Sequence, residues 1–293
     1  DYQSFSAARR VMAIGPDIEN FENLPGLELA VLADERRTLD RLLPLMQEEN
    51  PERYDQRRDW ARTQASELRE ARRQRFRAMA PQSSEVRPLV LAEALDRALE
   101  RHGGGMVMIE QFAAPLDCLE DASGGSGNNV YVRPAGGSEG YGIGGAAGLK
   151  LAAPDKTVVG LVGDGSILYG DSGLWTAVHH GIPVLYVVPD DRSYGIVAGY
   201  FGQAEGAMKQ DSEYAGVVSD GIDLVQIAGG FGLEGIRVED ESGLDDAIEH
   251  GLQVVEDEQR PFLLDVRLPL GLPAGGQAAA QFQLAASAAG AGR

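Results

Sequence analysis

Asp164, in the stretch GDGSILYGDSG at 163–173, stands between two glycines directly after the apolar run TVVGLV. Two more acids, Asp190 and Asp191 in PDDRSYG, follow the next apolar run, VLYVV. Short β-branched runs of this kind read as buried parallel strands, so the acids are expected at strand C-terminal tips. Ligands of open α/β sheets bind outside those tips. One helix and the turn HHGIP separate the two runs, which makes a single βαβ crossover. Its right-handed geometry is expected to make the strands parallel neighbours and to bring Asp164 and either Asp190 or Asp191 to one edge. A pair of carboxylates there suits magnesium, a hard cation whose shell phosphate oxygens complete, so the expected ligand is a metal-bound phosphate ester. Gly163 and Gly165 are read as permitting positive φ and close approach of that ligand. Ser166 and the amides around Gly165 are read as donors to its oxygens.

The elements that must position these acids follow from the hydrophobic pattern. Residues 84–268 alternate helical and strand signals: a helix near 88–102, the strand GMVMIE, a glycine-rich loop, a helix near 141–153, TVVGLVGD, a helix at 171–180 and IPVLYVV. The helix DLVQIAGGFG, the strand GIRVE, the helix GLDDAIEHGLQVVE and the strand PFLLDVRL follow. Such alternation predicts an α/β fold, a doubly wound parallel sheet with helices on both faces. Upstream, RRVMAIG, LELAVLAD and the helical ERRTLDRLLPLM give too little sheet for a whole domain, and are read as the tail of a second α/β domain. Residues 51–80 form a charged helix with Pro51 in its first turn, read as a solvated connector because acids interleave with its arginines. The expected division is 1–48, the end of a Rossmann-like domain; 49–83, a helical linker; 84–270, the binding domain; and 271–293, an Ala/Gly-rich tail.

Composition excludes some partners. The 293 residues carry 45 acidic and 26 basic side chains, a net charge of -19, which argues against nucleic acid and anionic membranes. No apolar run approaches a bilayer span. The single Cys118 cannot pair internally and fits a reducing cytoplasm. Because the chain starts at Asp1 and not at Met, it is read as processed, a fragment, or numbered from its first ordered residue.

Taken together, GDGSILYGDSGLWTAVHHGIPVLYVVPDDRSYG, the upstream AGGSEGYGIGGAAGLKLAAPDKTVV and the downstream GIDLVQIAGGFGLEGIRV resemble thiamine-diphosphate-dependent enzymes of the benzoylformate decarboxylase and acetolactate synthase-like type. The resemblance covers residues 84–268 and, more weakly, 8–47 as the end of the family's central domain. It implies the diphosphate-binding (PP) fold and two cofactors, thiamine diphosphate and magnesium. Carried over by position, Asp164, the Asp191 side chain and the Ser193 carbonyl hold the metal. Gly165, Ser166 and Tyr194 line the diphosphate, with Ser138, Gly163 and Gly195 in the same binding segments. The Gly137 carbonyl receives the aminopyrimidine amino group. Glu139 takes the place of an apolar residue under the cofactor.

The implied reaction is decarboxylation or carboligation of a small 2-oxo acid or aldehyde. The activating glutamate is expected on a pyrimidine-binding domain, in a separate subunit or a missing N-terminal region, within a hetero- or homo-oligomeric dimer or tetramer. Three positions depart from the pattern. Asp191 replaces Asn and adds charge beside a diphosphate, and Gln111, Phe112 and Ala113 stand where relatives carry hydroxyls. Glu139 is expected to have a raised pKa, to turn away, or to act as a special acid. A non-catalytic or regulatory subunit with the same fold is the second reading.

The run GYGIGG also matches G-x-G-x-x-G, but it lacks a good preceding strand and a suitably placed acid, so its glycines are read as helix-packing positions and a nicotinamide enzyme as a distant third reading. His179, His180 and His102 close helices, where the dipole favours them. Leu174 and Trp175 are read as core, His250 as surface, and Glu110 as facing either substrate or solvent.

Overall fold

The computed structural model describes residues 10–22, 24, 26–78, 84–110, 128–133, 138–195, 197–198, 206–211, 216–219 and 221–270. Gln111, Phe112, Ala113, Cys118, Gly137 and the 271–293 tail lie outside these residues.

Two compact units divide within one long helix, at Ala71 and Arg72. In the first, β1 (Val11–Gly15) pairs in parallel with β2 (Leu27–Leu32), with α1 (Glu19–Glu22) between them and α2 (Glu35–Glu49) following. Asp34 caps α2 by accepting the Arg37 N–H at 2.8 Å, and the Asn50 carboxamide accepts the Arg53 N–H at 3.0 Å as α3 (Pro51–Ala78) begins. Leu39, Leu42, Leu43 and Met46 have the helical spacing of a core stripe yet stay exposed.

The second unit holds a six-stranded sheet in the order β4-β3-β5-β6-β8-β7, parallel throughout. Its strands are β3 (Gly105–Glu110), β4 (Val130–Val132), β5 (Thr157–Val162), β6 (Leu185–Asp190), β7 (Gly235–Val238) and β8 (Phe262–Arg267). Helices α4 (Pro88–Arg101), α5 (Tyr141–Ala152), α6 (Asp164–Gly170), α7 (Ser172–His179), α8 (Ala207–Asp211), α9 (Leu224–Gly230) and α10 (Leu244–Asp257) accompany them.

Strand periodicity divides the apolar residues between two cores. Val107, Ile109, Val159, Leu161, Leu185, Val187, Phe262 and Leu264 pack with α4 and α10 on one face. Met108, Val158, Val162, Tyr186, Val188 and Leu263 pack with α5, α7 and α9 on the other. This is the doubly wound α/β sheet that alternating helix and strand signals require, with both faces covered.

From β3 the chain first adds β4 on one side and then β5 on the other, so strand order reverses between β3 and β5. The general rule for open α/β sheets points to the C-terminal tips of these two strands, which are Glu110 and the residues after Val162. The sequence pattern gives no sign of β4, whose three residues are too few to carry a period. The helix expected at 171–180 is preceded by another, α6, which starts at Asp164 itself.

Candidate functional site

β5 and β6 are hydrogen-bonded parallel neighbours, with Val159 opposite Leu185 and Leu161 opposite Val187. Their C-terminal ends deliver Asp164 and Asp191 to one edge, each only 6% exposed. Burial pushes the Asp164 carboxyl up to about 8, and the charges of Asp191 and Asp190 push the same way. The Ser219 hydroxyl donates to Asp164 Oδ2 at 3.2 Å. On the neighbouring strand, Asp191 Oδ1 accepts the Ser193 N–H and the Ser193 hydroxyl, both at 3.0 Å, a local turn that orients the carboxylate.

Asp190 and Asp191 differ in their partners. Asp190 Oδ2 is held by Arg267 Nη1 at 2.5 Å and its Oδ1 accepts the Arg192 N–H at 3.1 Å. Asp190 is thus tied into the sheet, and Asp191 is the acid that turns with the loop. That loop is pinned from outside: the Tyr194 N–H donates to the Val217 carbonyl at 2.7 Å and the Ser219 N–H to the Arg192 carbonyl at 2.9 Å. Arg192 adopts φ 58, a left-handed conformation that side-chain-bearing residues seldom take. Its guanidinium is anchored on Glu85 at 2.7 Å and on the Leu268 carbonyl at 3.1 Å.

Two expectations for the glycines are corrected. Gly163 has φ -61 and caps α6 in an extended conformation, and Gly165 lies inside that helix, so neither takes positive φ. The reason is that α6 starts one residue after Gly163. What Gly165 admits is the Tyr194 ring, whose atoms would lie 2.8 Å from an added Cβ. Ser166 is buried in the first turn of α6. Its hydroxyl donates to Glu139 Oε2 at 2.5 Å. Glu139 and Ser138 are exposed, so the cost expected for a buried Glu139 does not arise: the side chain has turned to Ser166. Gly195 is buried just beyond Tyr194. Gly137 falls outside the described residues.

Glu110 is neither solvated nor open to substrate. It is 0% exposed, and its carboxylate accepts the backbone N–H groups of Gly140 and Gly142 at the start of α5. The GYGIGG amides that a dinucleotide would require are therefore already engaged. Trp175, expected in the core, is half-exposed and stacks on His179 at 4.6 Å, while Leu174 is buried as expected. Ser219, Arg267 and the role of Glu110 escaped the sequence reading. Ser219 carries no local pattern that could have revealed it, whereas an acid ending an otherwise apolar strand was a usable sign for Glu110.

The donor set at the two tips consists of oxygen atoms alone, and buried carboxylates crowded by like charge are relieved by a hard divalent cation. Magnesium therefore fits the residues present. Among the described residues no cluster of three or more His, Cys, Asp or Glu side chains is placed to hold a metal, so a main-chain or ligand oxygen has to complete such a shell.

Comparison with known proteins places the sheet among thiamine diphosphate-binding folds. Residues 125–266 match the family model described as thiamine pyrophosphate enzyme, C-terminal TPP binding domain. The chain is similar to benzoylformate decarboxylase of Pseudomonas aeruginosa, 27% identical over 189 residues, 64% of this chain and 34% of that protein. It is also similar to the large subunit of acetolactate synthase isozyme 3 of Escherichia coli, 24% identical over 266 residues, 86% of this chain and 42% of that one. A solved thiamine diphosphate-dependent 4-hydroxybenzoylformate decarboxylase from Rhodococcus jostii RHA1 shares the fold, with a TM-score of 0.69 and 23% identity over 89% of this chain and 44% of that one. The chain thus spans between a third and just under half the length of these relatives.

Proposed function

We propose that this chain supplies the diphosphate-binding half of a magnesium- and thiamine diphosphate-dependent enzyme that decarboxylates, or joins to a second carbonyl compound, a small 2-oxo acid. The observation that carries the proposal is the pair of buried carboxylates, Asp164 and Asp191, on adjacent strand tips within the stretch that matches the TPP binding domain. Asp164, Asp191 and the Ser193 carbonyl hold magnesium; Gly165, Ser166 and Tyr194 line the diphosphate, flanked by Ser138, Gly163 and Gly195. The Gly137 carbonyl orients the aminopyrimidine. When bound, thiamine diphosphate supplies the electron sink for loss of carbon dioxide. The protein's part is electrostatic: buried carboxylates fix the cation, and the cation offsets the repulsion between them and the diphosphate. Asp191 makes that offset more demanding than a neutral side chain would. A pyrimidine-binding half, on a second subunit or another part of a longer chain, completes the site in a dimer or tetramer.

A second reading, a non-catalytic cofactor-binding or regulatory subunit, draws support from the Glu139–Ser166 hydrogen bond, which sets a carboxylate against a hydroxyl assigned to the diphosphate. Calorimetric titration with thiamine diphosphate is expected to give binding that requires magnesium. No binding with magnesium present would end both readings. Release of carbon dioxide from pyruvate or benzoylformate by the complete complex separates them: a fully loaded but inactive complex overturns the enzyme reading.

A further inference from the structure

An ionised carboxylate with no access to water is costly unless donors replace its hydration. Glu110, the last residue of β3, is in that position, and its donors are the N–H groups of Gly140 and Gly142. The first-turn amides of a helix lack intrahelical partners and are usually satisfied by a capping side chain close by in sequence. Here the residue at the cap position is Gly140, which has no side chain to offer and adopts φ 82. The cap of α5 is therefore supplied from another strand, 30 residues upstream. The fit is close: a Cβ on Gly142 would lie 2.6 Å from Glu110 Oε2 and 2.8 Å from Val162 Cγ2. A Cβ on Gly140 would lie 2.9 Å from Tyr169. The turn is thus held between the tip of β3 and helix α6. Glu139 precedes Gly140 directly, and its carboxylate reaches the Ser166 hydroxyl on α6.

We propose that Glu110 is a positioning residue: by capping α5 from the tip of β3 it fixes the Ser138–Gly140 turn and so sets where Ser138 and Glu139 stand at the diphosphate edge. This rests on the thiamine diphosphate reading only in its second part; the clamp itself does not need a ligand.

Amide hydrogen exchange on the purified chain tests the clamp. In the wild type, the Gly140 and Gly142 amides should be protected. In Glu110→Gln, where one acceptor oxygen becomes an amide donor facing an N–H, that protection should fall at least about tenfold, with β5 amides unchanged. Gly142→Ala, which crowds the carboxylate from the other side, should produce the same local loss if the Gln variant does not fold. Freely exchanging wild-type amides, or protection that persists in a folded variant of either kind, overturns the clamp. Thiamine diphosphate titration with magnesium then tests positioning. A folded variant with loosened amides should bind about tenfold more weakly, and unchanged affinity would reduce Glu110 to a purely structural cap. A wild type that does not bind the cofactor while its amides show the clamp would instead sink the functional reading, and with it the positioning role.

Discussion

Two pairs of buried acids lie next to each other at the same end of the sheet and are neutralised in different ways. Asp190 and Asp265, on β6 and β8, each have an arginine: Arg267 Nη1 stands 2.5 Å from Asp190 and Arg237 Nε 2.7 Å from Asp265. Asp164 and Asp191, one strand over, sit against serine hydroxyls and a serine amide. The first pair carries its counter-charge within the fold, and in the second burial, reinforced by the charges of Asp191 and Asp190, raises the Asp164 carboxyl to about 8. What differs is the cation: arginine is built into one pair, and the other suits a cation from solution. A buried carboxyl whose pKa is raised in this way marks a candidate ligand site.

The sharpest way to break this comparison is to remove an internal cation. Arg237→Met leaves Asp265, which is fully buried, without its guanidinium and should cost about 3 kcal/mol in thermal or urea unfolding at neutral pH. Burial already pushes the Asp265 carboxyl up to about 6, with Arg237 opposing and Asp190 adding to the shift. Because that value exceeds the unfolded value near 4, the folded state binds more protons between them, and stability falls as pH rises through this window. Loss of Arg237 raises the folded value further, so the penalty should shrink by about pH 5. A variant equally destabilised at both pH values would show that the arginine acts through packing alone.

The opposite outcome is expected at the other pair. Asp164→Asn replaces a carboxyl whose ionised form burial and two neighbouring acids disfavour, so at neutral pH the metal-free protein should gain about 1 kcal/mol. On the proposed magnesium site, its magnesium-dependent affinity for thiamine diphosphate should drop about a hundredfold, because a proposed ligand of the cation is weakened. Measuring Asp190→Asn beside it sharpens the contrast. That change strands Arg267 and should cost about 2 kcal/mol with a far smaller effect on affinity. Equal stability changes in the two variants would erase the distinction between the pairs.

The sheet and the pairing of its two central tips were legible because each needs only local information. TVVGLV and VLYVV are unbroken apolar runs, one crossover apart, and handedness fixes the rest. What the pattern could not reveal depends on residues distant in sequence. Arg267 engages Asp190 from 77 residues away, and Ser219 reaches Asp164 across 55. GDGS reads as a turn because glycine punctuates loops, yet Asp164 opens a helix whose burial overrides glycine's weak helix propensity. Trp175 stands at helical spacing, but the face it occupies stacks it on His179 outside the core. Burial is decided by what packs against a face, and a single strand's period cannot supply that.

A third arrangement, on the α4–α10 side of the sheet, tests the comparison with a cation that can be switched off. His102, at the C-terminus of α4, sits between two carboxylates of α10: Nε2 is 2.9 Å from Glu249 and Nδ1 is 2.6 Å from Glu256. Arg101 holds the far oxygen of Glu249 at 2.8 Å, and the Thr157 hydroxyl of β5 donates to Glu256 at 2.5 Å. Burial lowers the imidazole pKa, but the two carboxylates outweigh it and the net shift is upward. A histidine whose folded pKa is raised contributes stability that is fully present below its unfolded value near 6.5, and that is lost as pH rises through the folded value. His102→Gln should therefore cost about 1 kcal/mol at pH 6, with a smaller loss above the folded value, where the wild-type imidazole is neutral. A loss independent of pH would mean that the ring is held by hydrogen bonding and packing and not as an imidazolium.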